Sequence, residues 1–189
     1  MSELDREIAS KLKGIKSYEV TLIPVDINNY FKVILGTMKY LVNERDMGGV
    51  YISATRPSKA IISRLESENI NLSDVLFVDS VSYMSEGPPP PADNVIFVES
   101  PTMLELILTK ADILLKKAKS ARKFIIFDSI NALSIYNSEK ILTEFLHVLV
   151  NALGAKEIAS LLLSVKGQTP KEIDGLLRML CDNVIEIGW

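Results

Sequence analysis

Apolar residues along the chain form short continuous runs that alternate with longer stretches of helical periodicity. Residues 124–127 and 161–163 are entirely apolar, as is typical of strands buried on both faces of a parallel sheet. In the longer stretches, apolar residues recur every three or four positions, as in an amphipathic helix. The alternation predicts one α/β domain with three layers, a mostly parallel sheet covered by helices on both faces.

The pattern also places the individual elements. The predicted strands are residues 20–23, 50–53, 75–79, 95–98, 124–127, 159–165 and 184–187. The predicted helices are residues 4–15 (within an N-terminal segment, 1–16), 27–44, 57–68, 101–119, 139–153 and 169–180. Thr169 and Glu172 have the spacing of a capping box at the start of the last helix. The segment 82–94 contains four consecutive prolines and is predicted to be an irregular loop, a spacer rather than a partner-docking arm.

Composition narrows the function classes. The 189 residues are 48% hydrophobic and 24% charged, and the net charge of −3 argues against broad electrostatic binding of nucleic acid. No apolar run reaches the ~18 residues of a membrane-spanning helix. A charged N-terminal stretch and a single cysteine lead us to expect a cytoplasmic protein. Gln, His and Cys each occur once while Lys and Glu are plentiful, a bias that resembles hyperthermophile proteins.

Common catalytic patterns are missing from the sequence. His147, the only histidine, lies within a predicted helix, and Cys181 has no partner cysteine for a metal or redox motif. The sequence contains no G-x-S-x-G nucleophile motif, and its carboxylates are spread along predicted helix surfaces. We therefore expect no catalytic residue, no metal site and no cofactor.

Two strand ends carry the most specific pattern. One is Val50-Tyr51-Ile52-Ser53, and the other is Ile126-Phe127-Asp128-Ser129, an apolar strand that ends in Asp as a Walker B strand does. With the order of elements over residues 18–187, they resemble the RecA/KaiC-like ATPase superfamily, especially its archaeal KaiC-like branch. The resemblance implies a RecA-like core in which strand 124–127 lies between strands 50–53 and 159–165, with strand 20–23 beyond 159–165.

The resemblance also shows which ATPase residues are missing from this sequence. The Gly-Lys-Thr of the family's phosphate-binding loop falls on Asn29-Tyr30-Phe31, and no glycine occurs between Gly14 and Gly36. The carboxylate that the family places after its second core strand falls within Ala54-Thr55-Arg56, which contains no acid. Phosphoryl transfer depends on positioning and charge stabilisation by these groups. A degenerate member without ATPase activity is therefore expected.

Some positions that match the family's nucleotide site could keep a structural or binding role in this chain. Asp128 is expected to brace a loop or cap a helix rather than to hold Mg²⁺, because a lone Asp is a weak magnesium site. Residues at the remodelled corner, which precedes a helix, could still bind an anion. The candidate vestigial positions are Asn28, Asn29, Tyr30, Phe31, Thr55, Asp128 and Ser129.

We expect a regulatory or scaffolding module that acts through protein contacts, with self-association as the first guess because the family assembles through its core domains. The alternative is a nucleotide or small-ligand sensor that does not hydrolyse its ligand. A third possibility, an accessory protein of DNA repair or recombination, is disfavoured by the acidic pI.

Helix 139–153 has a wider apolar face than a helix that packs on one side requires. It is therefore predicted to form a homodimer or partner interface, unless helix 4–15 covers it within the domain. The interface candidates are Leu142, Phe145, Leu146, Leu149 and Val150.

Overall fold

The computed structural model describes residues 2–187, and their strands form one parallel sheet. The strands are β1 (Val20–Val25), β2 (Gly48–Ser53), β3 (Val75–Asp79), β4 (Val95–Phe97), β5 (Lys123–Asp128), β6 (Ala159–Val165) and β7 (Asn183–Val184). Their order across the sheet is β4-β3-β2-β5-β6-β1-β7. Strand β5 therefore lies between β2 and β6, with β1 on the far side of β6. This confirms the strand order implied by the resemblance.

Helices cover both faces of the sheet. They are α1 (Glu3–Leu12), α2 (Tyr30–Met38), α3 (Ser58–Ser67), α4 (Ser82–Glu86), α5 (Leu104–Lys117), α6 (Ile130–Tyr136), α7 (Glu139–Gly154) and α8 (Lys171–Leu180). Buried residues of α1, α2 and α3 form one apolar core, and those of α5 to α8 form the other. The predicted three-layer α/β architecture is confirmed. Within residues 2–187, no helix is both long and apolar enough to cross a membrane.

Alternation along the strands decides which side chains meet. In β2, Val50 and Ile52 belong to the core under α5 to α8, whereas Tyr51 belongs to the core under α1 to α3. The register pairs Tyr51 with Ile126 and Ser53 with Asp128. Because side chains alternate with a period of two residues, Asp128 projects to the same face as Ile126 and Tyr51.

The connection from β1 to β2 is not one regular helix. It begins with a 3₁₀ turn (Ile27–Asn29), continues through α2 and ends in a π-helical turn (Lys39–Glu44). The Asp26 side chain caps the first turn by accepting a 2.8 Å hydrogen bond from the Asn28 N–H. The prediction of a single helix over 27–44 is therefore wrong in its conformation at both ends.

Three further local predictions need correction. The N-cap of α8 is Pro170 rather than Thr169, and the Thr169 hydroxyl donates to the Val165 carbonyl instead (3.3 Å). The segment 82–94 is not irregular throughout, because its first residues form α4. Helix α6 was not predicted at all.

The five interface candidates on α7 lie in the core. They are 0–7% exposed, because α7 packs on the sheet and against α8 rather than α1. The candidates are Leu142, Phe145, Leu146, Leu149 and Val150. The sheet and a neighbouring helix together cover the wide apolar face, so these side chains are not available to a partner. Ile141 and Val148 of the same helix remain 51% and 60% exposed.

Candidate functional site

A buried polar cluster lies at the carboxyl edge of the sheet, where open α/β folds bind their ligands. Asp128 is the last residue of β5, Thr55 follows β2, and Tyr30 is the first residue of α2. Tyr51 reaches the same place from within β2. We call Tyr30, Tyr51, Thr55 and Asp128 the Asp128 cluster.

Three hydroxyl groups donate to the Asp128 carboxylate. Oδ1 accepts hydrogen bonds from the Tyr30 hydroxyl and from Thr55 Oγ1, the latter at 3.1 Å. Oδ2 accepts a hydrogen bond from the Tyr51 hydroxyl. Asp128 is 1% exposed and Tyr51 is fully buried, while Tyr30 is half-buried. The cluster ties the start of α2 to strands β2 and β5.

Burial dominates the electrostatics of the cluster. It raises the pKa of Asp128, although the hydrogen bonds from Tyr30, Tyr51 and Thr55 and the charge of Arg56 act in the opposite direction. Burial and the neighbouring carboxylate raise the pKa of Tyr30 and of Tyr51 well above that of a free phenol. Both phenols therefore stay protonated at neutral pH and serve as hydrogen-bond donors.

Two further predicted positions adjoin the cluster. The Phe31 ring lies under the Arg56 guanidinium, 5.8 Å from its centroid, which is within the range of a cation–π contact. Arg56 thus places a positive charge beside the cluster. The Ser129 hydroxyl is buried and has no hydrogen-bond partner among the described residues.

Asn28 and Asn29 are not part of the cluster. Asn28 is exposed, and its side chain and backbone N–H both donate to Asp26. Asn29 lines a surface cavity between α1 and α2 together with Lys32. The structure therefore brings together Tyr30, Thr55 and Asp128 of the predicted positions, with Phe31 and Ser129 beside them.

The role of Tyr51 was not predicted from the sequence. The residue was noted only as part of a strand pattern, although a tyrosine inside a buried strand needs a partner for its hydroxyl. Once β2 is placed beside β5, alternation alone puts Tyr51 on the face of Asp128. That signal depends on the strand order and the register together.

Asp79, at the end of β3, was also missed. Its carboxylate accepts from the N–H groups of Ser58 (2.6 Å), Val81 (2.9 Å) and Ser82 (2.9 Å), and from the Ser82 hydroxyl (2.6 Å). These donors belong to the starts of α3 and α4, so one buried carboxylate caps two helices. Burial alone would raise the pKa of Asp79, but the hydrogen bonds from Ser82 and Ser58 outweigh it and lower the pKa.

The chemistry available at this edge is limited. Arg56 is a cation whose charge acts on Asp128, and the carboxylate is already held by three hydroxyls. Within residues 2–187, no group of three or more His, Cys, Asp or Glu side chains could hold a metal ion. The arrangement is suited to holding elements together.

Neither a family model nor a curated protein sequence matches the chain. Solved structures of similar fold include the KaiC-like protein PH0186 from Pyrococcus horikoshii OT3, with a TM-score of 0.64 and 13% identity over 89% of this chain and 70% of that one. The flagellar accessory protein FlaH from Methanocaldococcus jannaschii has a TM-score of 0.63 and 16% identity over 98% and 76% of the two chains.

A third similar structure is PH0321 from Pyrococcus horikoshii, determined in complex with an unknown peptide. Its TM-score is 0.71, with 14% identity over 96% of this chain and 82% of that one. At such low identities the likeness is one of fold. The chain has the RecA/KaiC-like fold of these archaeal proteins.

Proposed function

We propose that the protein is a non-catalytic member of the RecA/KaiC-like group that acts as a regulatory or scaffolding module through protein contacts. The observation that carries the proposal is the hydrogen bond from Tyr30 to Asp128. Tyr30 occupies the position at which the family resemblance places the phosphate-binding lysine. Here the side chain at that position is bonded to the carboxylate that the resemblance assigns to metal binding.

The residues present do not fit a magnesium nucleotide. A carboxylate has about four lone-pair positions, and three of those on Asp128 accept hydroxyls of the chain itself. Mg²⁺ demands near-ideal octahedral geometry and binds with several of its waters. Only one lone-pair position of Asp128, on Oδ2, is left for such an ion, and no lysine at the corner would neutralise the phosphates.

The position of the family's water-activating carboxylate also lacks a catalytic group in this chain. Thr55 lies in the segment where the family has the carboxylate that activates water, and its hydroxyl donates to Asp128. A hydroxyl used in this way cannot act as a general base. We therefore assign no phosphoryl-transfer step to this site.

Exposed apolar side chains around α7 support the interaction role. Ile141 (51% exposed), Val148 (60%) and Met103 (38%) line a groove of about 560 Å³ between α5 and α7. Ile135 and Tyr136, at the end of α6, are 75% and 42% exposed. Exposed apolar patches commonly mark protein interaction sites. The peptide bound to PH0321 is consistent with a partner-binding role in a protein of this fold.

Calorimetry with ATP and Mg²⁺, together with an ATPase assay, tests the loss of nucleotide chemistry. We expect no hydrolysis and no affinity tighter than about millimolar, roughly −4 kcal/mol. Micromolar binding that disappears in Asp128→Asn would instead establish the sensor alternative. Micromolar binding unaffected by that substitution would place the ligand elsewhere.

Sedimentation tests the interaction role, with a second copy of the chain as the expected partner. Replacing Ile141 and Val148 together by Glu should shift the protein toward the monomer, since two charges would be buried in the interface. Met179→Glu is the matched control, because Met179 is 70% exposed on α8 and does not line the groove. A wild-type protein that is monomeric at high concentration would contradict self-association.

A further inference from the structure

A second concave site lies at the opposite edge of the sheet from the Asp128 cluster. A cavity of about 360 Å³ opens between the end of α1, the π-helical turn after α2 and the first residues of β5 and β6. Strand β5 separates the two sites, and its six residues span about 17 Å. We call this space the amino-edge cavity.

The lining of the amino-edge cavity combines apolar and cationic groups. Leu12, Leu41 and Leu161, all buried, contribute apolar surface. A cavity of this volume falls within the range of small-molecule sites, which are largely apolar with a few convergent polar groups.

The charged groups at the cavity are unbalanced. Lys13, Arg45, Arg122 and Lys123 line it against a single carboxylate, that of Glu157. None of these five groups forms an ion pair with any of the described residues. The chain as a whole carries a net charge of −3, so this concentration of positive charge does not reflect the average composition. It favours an anionic ligand.

A π-helical turn in the backbone at the cavity orients the Arg45 side chain. The Arg45 N–H bonds to the Tyr40 carbonyl, five residues back, at 3.0 Å. The Arg45 guanidinium donates to the Tyr40 hydroxyl at 3.2 Å and lies 5.9 Å from its ring centroid. Turns of π-helix are rare and occur frequently at functional sites. Here the turn holds a guanidinium at the cavity with most of its N–H groups still free to bind a ligand.

Other cations are held beside it. Arg122 donates to the Arg45 carbonyl, which places the Arg122 guanidinium beside the backbone of the turn that carries Arg45. The Lys123 ammonium donates to the Leu115 carbonyl at 2.8 Å and is therefore partly engaged. Lys13, exposed at the C-terminal end of α1, makes no ion pair within residues 2–187. Arg45, Arg122 and Lys13 are thus the groups available to an anionic head.

We propose that the amino-edge cavity binds a small amphipathic anion, with a carboxylate or phosphate head and an apolar body. Arg45, Arg122 and Lys13 hold the head, and the leucine surface takes the body. Guanidinium groups suit both head groups because their fork geometry matches two oxygens at once. The proposal does not depend on the function proposed for the Asp128 cluster, because the two sites share no residue.

Calorimetric titration below the micelle-forming concentration tests the proposal, with decanoate, decyl phosphate and uncharged decanol as probes. The three share an apolar chain and differ in the head. We expect at least one anion to bind tenfold or more tightly than decanol, about 1.4 kcal/mol. The stronger anion identifies the head group. Equal binding of all three probes, or binding of none, would overturn the proposal.

Variants locate the binding. Lys13→Gln combined with Arg45→Gln should weaken the anions at least tenfold and leave decanol unchanged. Ala121→Trp, at an exposed position of the lining, should weaken all three probes by filling space. Lys140→Gln with Lys171→Gln removes two exposed cations that do not line the cavity and is the matched control.

Thermal unfolding of each variant checks that the fold is intact, because Arg45→Gln also removes the bond to Tyr40. If anion binding survives the Lys13/Arg45 change or falls equally in the control, the site is not this cavity. The Ala121→Trp variant keeps every cation, so its result stands even if the double variant fails to fold.

Discussion

Removing one hydroxyl group from the Asp128 cluster should lower the free energy of unfolding more than removing an exposed hydroxyl would. Tyr30→Phe deletes a hydrogen bond to a carboxylate that is 1% exposed. Hydrogen bonds to charged groups contribute about 1.5–3 kcal/mol. Asp128 keeps the donors Tyr51 and Thr55, so we expect a loss of about 2 kcal/mol, the lower part of that range. For a chain of this length the corresponding fall in Tm is about 4–8 °C.

Urea denaturation at neutral pH measures this loss directly. Tyr136→Phe is the matched control, because Tyr136 is 42% exposed and its hydroxyl makes no hydrogen bond to any of the described residues. The control should change the free energy of unfolding by less than about 0.5 kcal/mol. A double-mutant cycle with Asp128→Asn should give a coupling of about 1 kcal/mol or more. If Tyr30→Phe costs no more than the control, the cluster does not brace the fold.

The pH dependence of the same variant gives an independent check. The pKa of Tyr30 is raised in the folded state, so its contribution to stability is complete below the pKa of a free phenol, near 10, and is lost as the pH rises further. The deficit of Tyr30→Phe should therefore shrink in alkaline solution. Asp128 also has a raised pKa, so the wild type should lose stability relative to Asp128→Asn as the pH rises from about 4.

Three further predictions concern stability and reactivity. Asp79→Ala should lower the free energy of unfolding by about 3–4 kcal/mol, because two helices lose their cap. The pKa of Asp79 is lowered in the folded state, so this loss should be complete above about pH 4 and should decrease in acid. Urea denaturation across pH measures it. Gly49→Ala should strongly reduce the yield of folded protein, since its Cβ would lie 2.1 Å from the Phe124 carbonyl oxygen; normal expression and Tm would contradict this. Burial raises the pKa of Cys181 to about 12, so a thiol reagent at pH 8 should react only after denaturant is added.

The sheet could be predicted from the sequence because its strands are short, apolar and separated by clear helical stretches. β3 and β6 have the predicted bounds, and β5 differs from 124–127 by one residue at each end. The order of the strands came from the family resemblance, not from the apolar pattern. Local pattern identifies strands, but it does not say which strands are neighbours.

Elements whose starts depend on distant groups were not predictable in the same way. Helix α4 has only five residues, and the groups that satisfy its first N–H donors belong to Asp79 of β3. Nothing within 82–94 signals this cap. At α8 the local signal was present but misleading, because the Thr169 hydroxyl bonds backwards to Val165 and the helix begins after Pro170.

The apolar face of α7 shows why width alone does not identify an interface. Its buried stripe packs on the sheet, and α8 covers a further part. From the sequence, a helix covered by two neighbours and a helix that carries a binding surface have the same broad stripe. The residues that remain exposed, Ile141 and Val148, are not among the five interface candidates.

The candidate site could be predicted only in part for a similar reason. Tyr30 and Asp128 are 98 residues apart, and their meeting requires both the parallel arrangement and the start of α2 at this edge. The family resemblance predicted that the start of α2 and the end of β5 lie at the same edge of the sheet, and so it predicted that Tyr30 and Asp128 are close. It did not indicate that Tyr30 donates to Asp128, or that Tyr51 donates from within the strand.

An Asp at the end of β5 can have a structural role that is independent of any nucleotide. Asp128 accepts hydrogen bonds from α2, from β2 and from the turn after β2, so one carboxylate on β5 joins the start of α2 to β2 and its following turn. Removing the carboxylate would leave the Tyr30 and Tyr51 hydroxyls without their acceptor, and an unsatisfied buried donor lowers stability. A chain that lost its phosphate-binding residues would therefore still need an acceptor here as long as Tyr30 and Tyr51 remain. On this argument, Asp128→Ala should lower stability without altering self-association of the folded protein, whereas the Ile141/Val148 change should do the reverse.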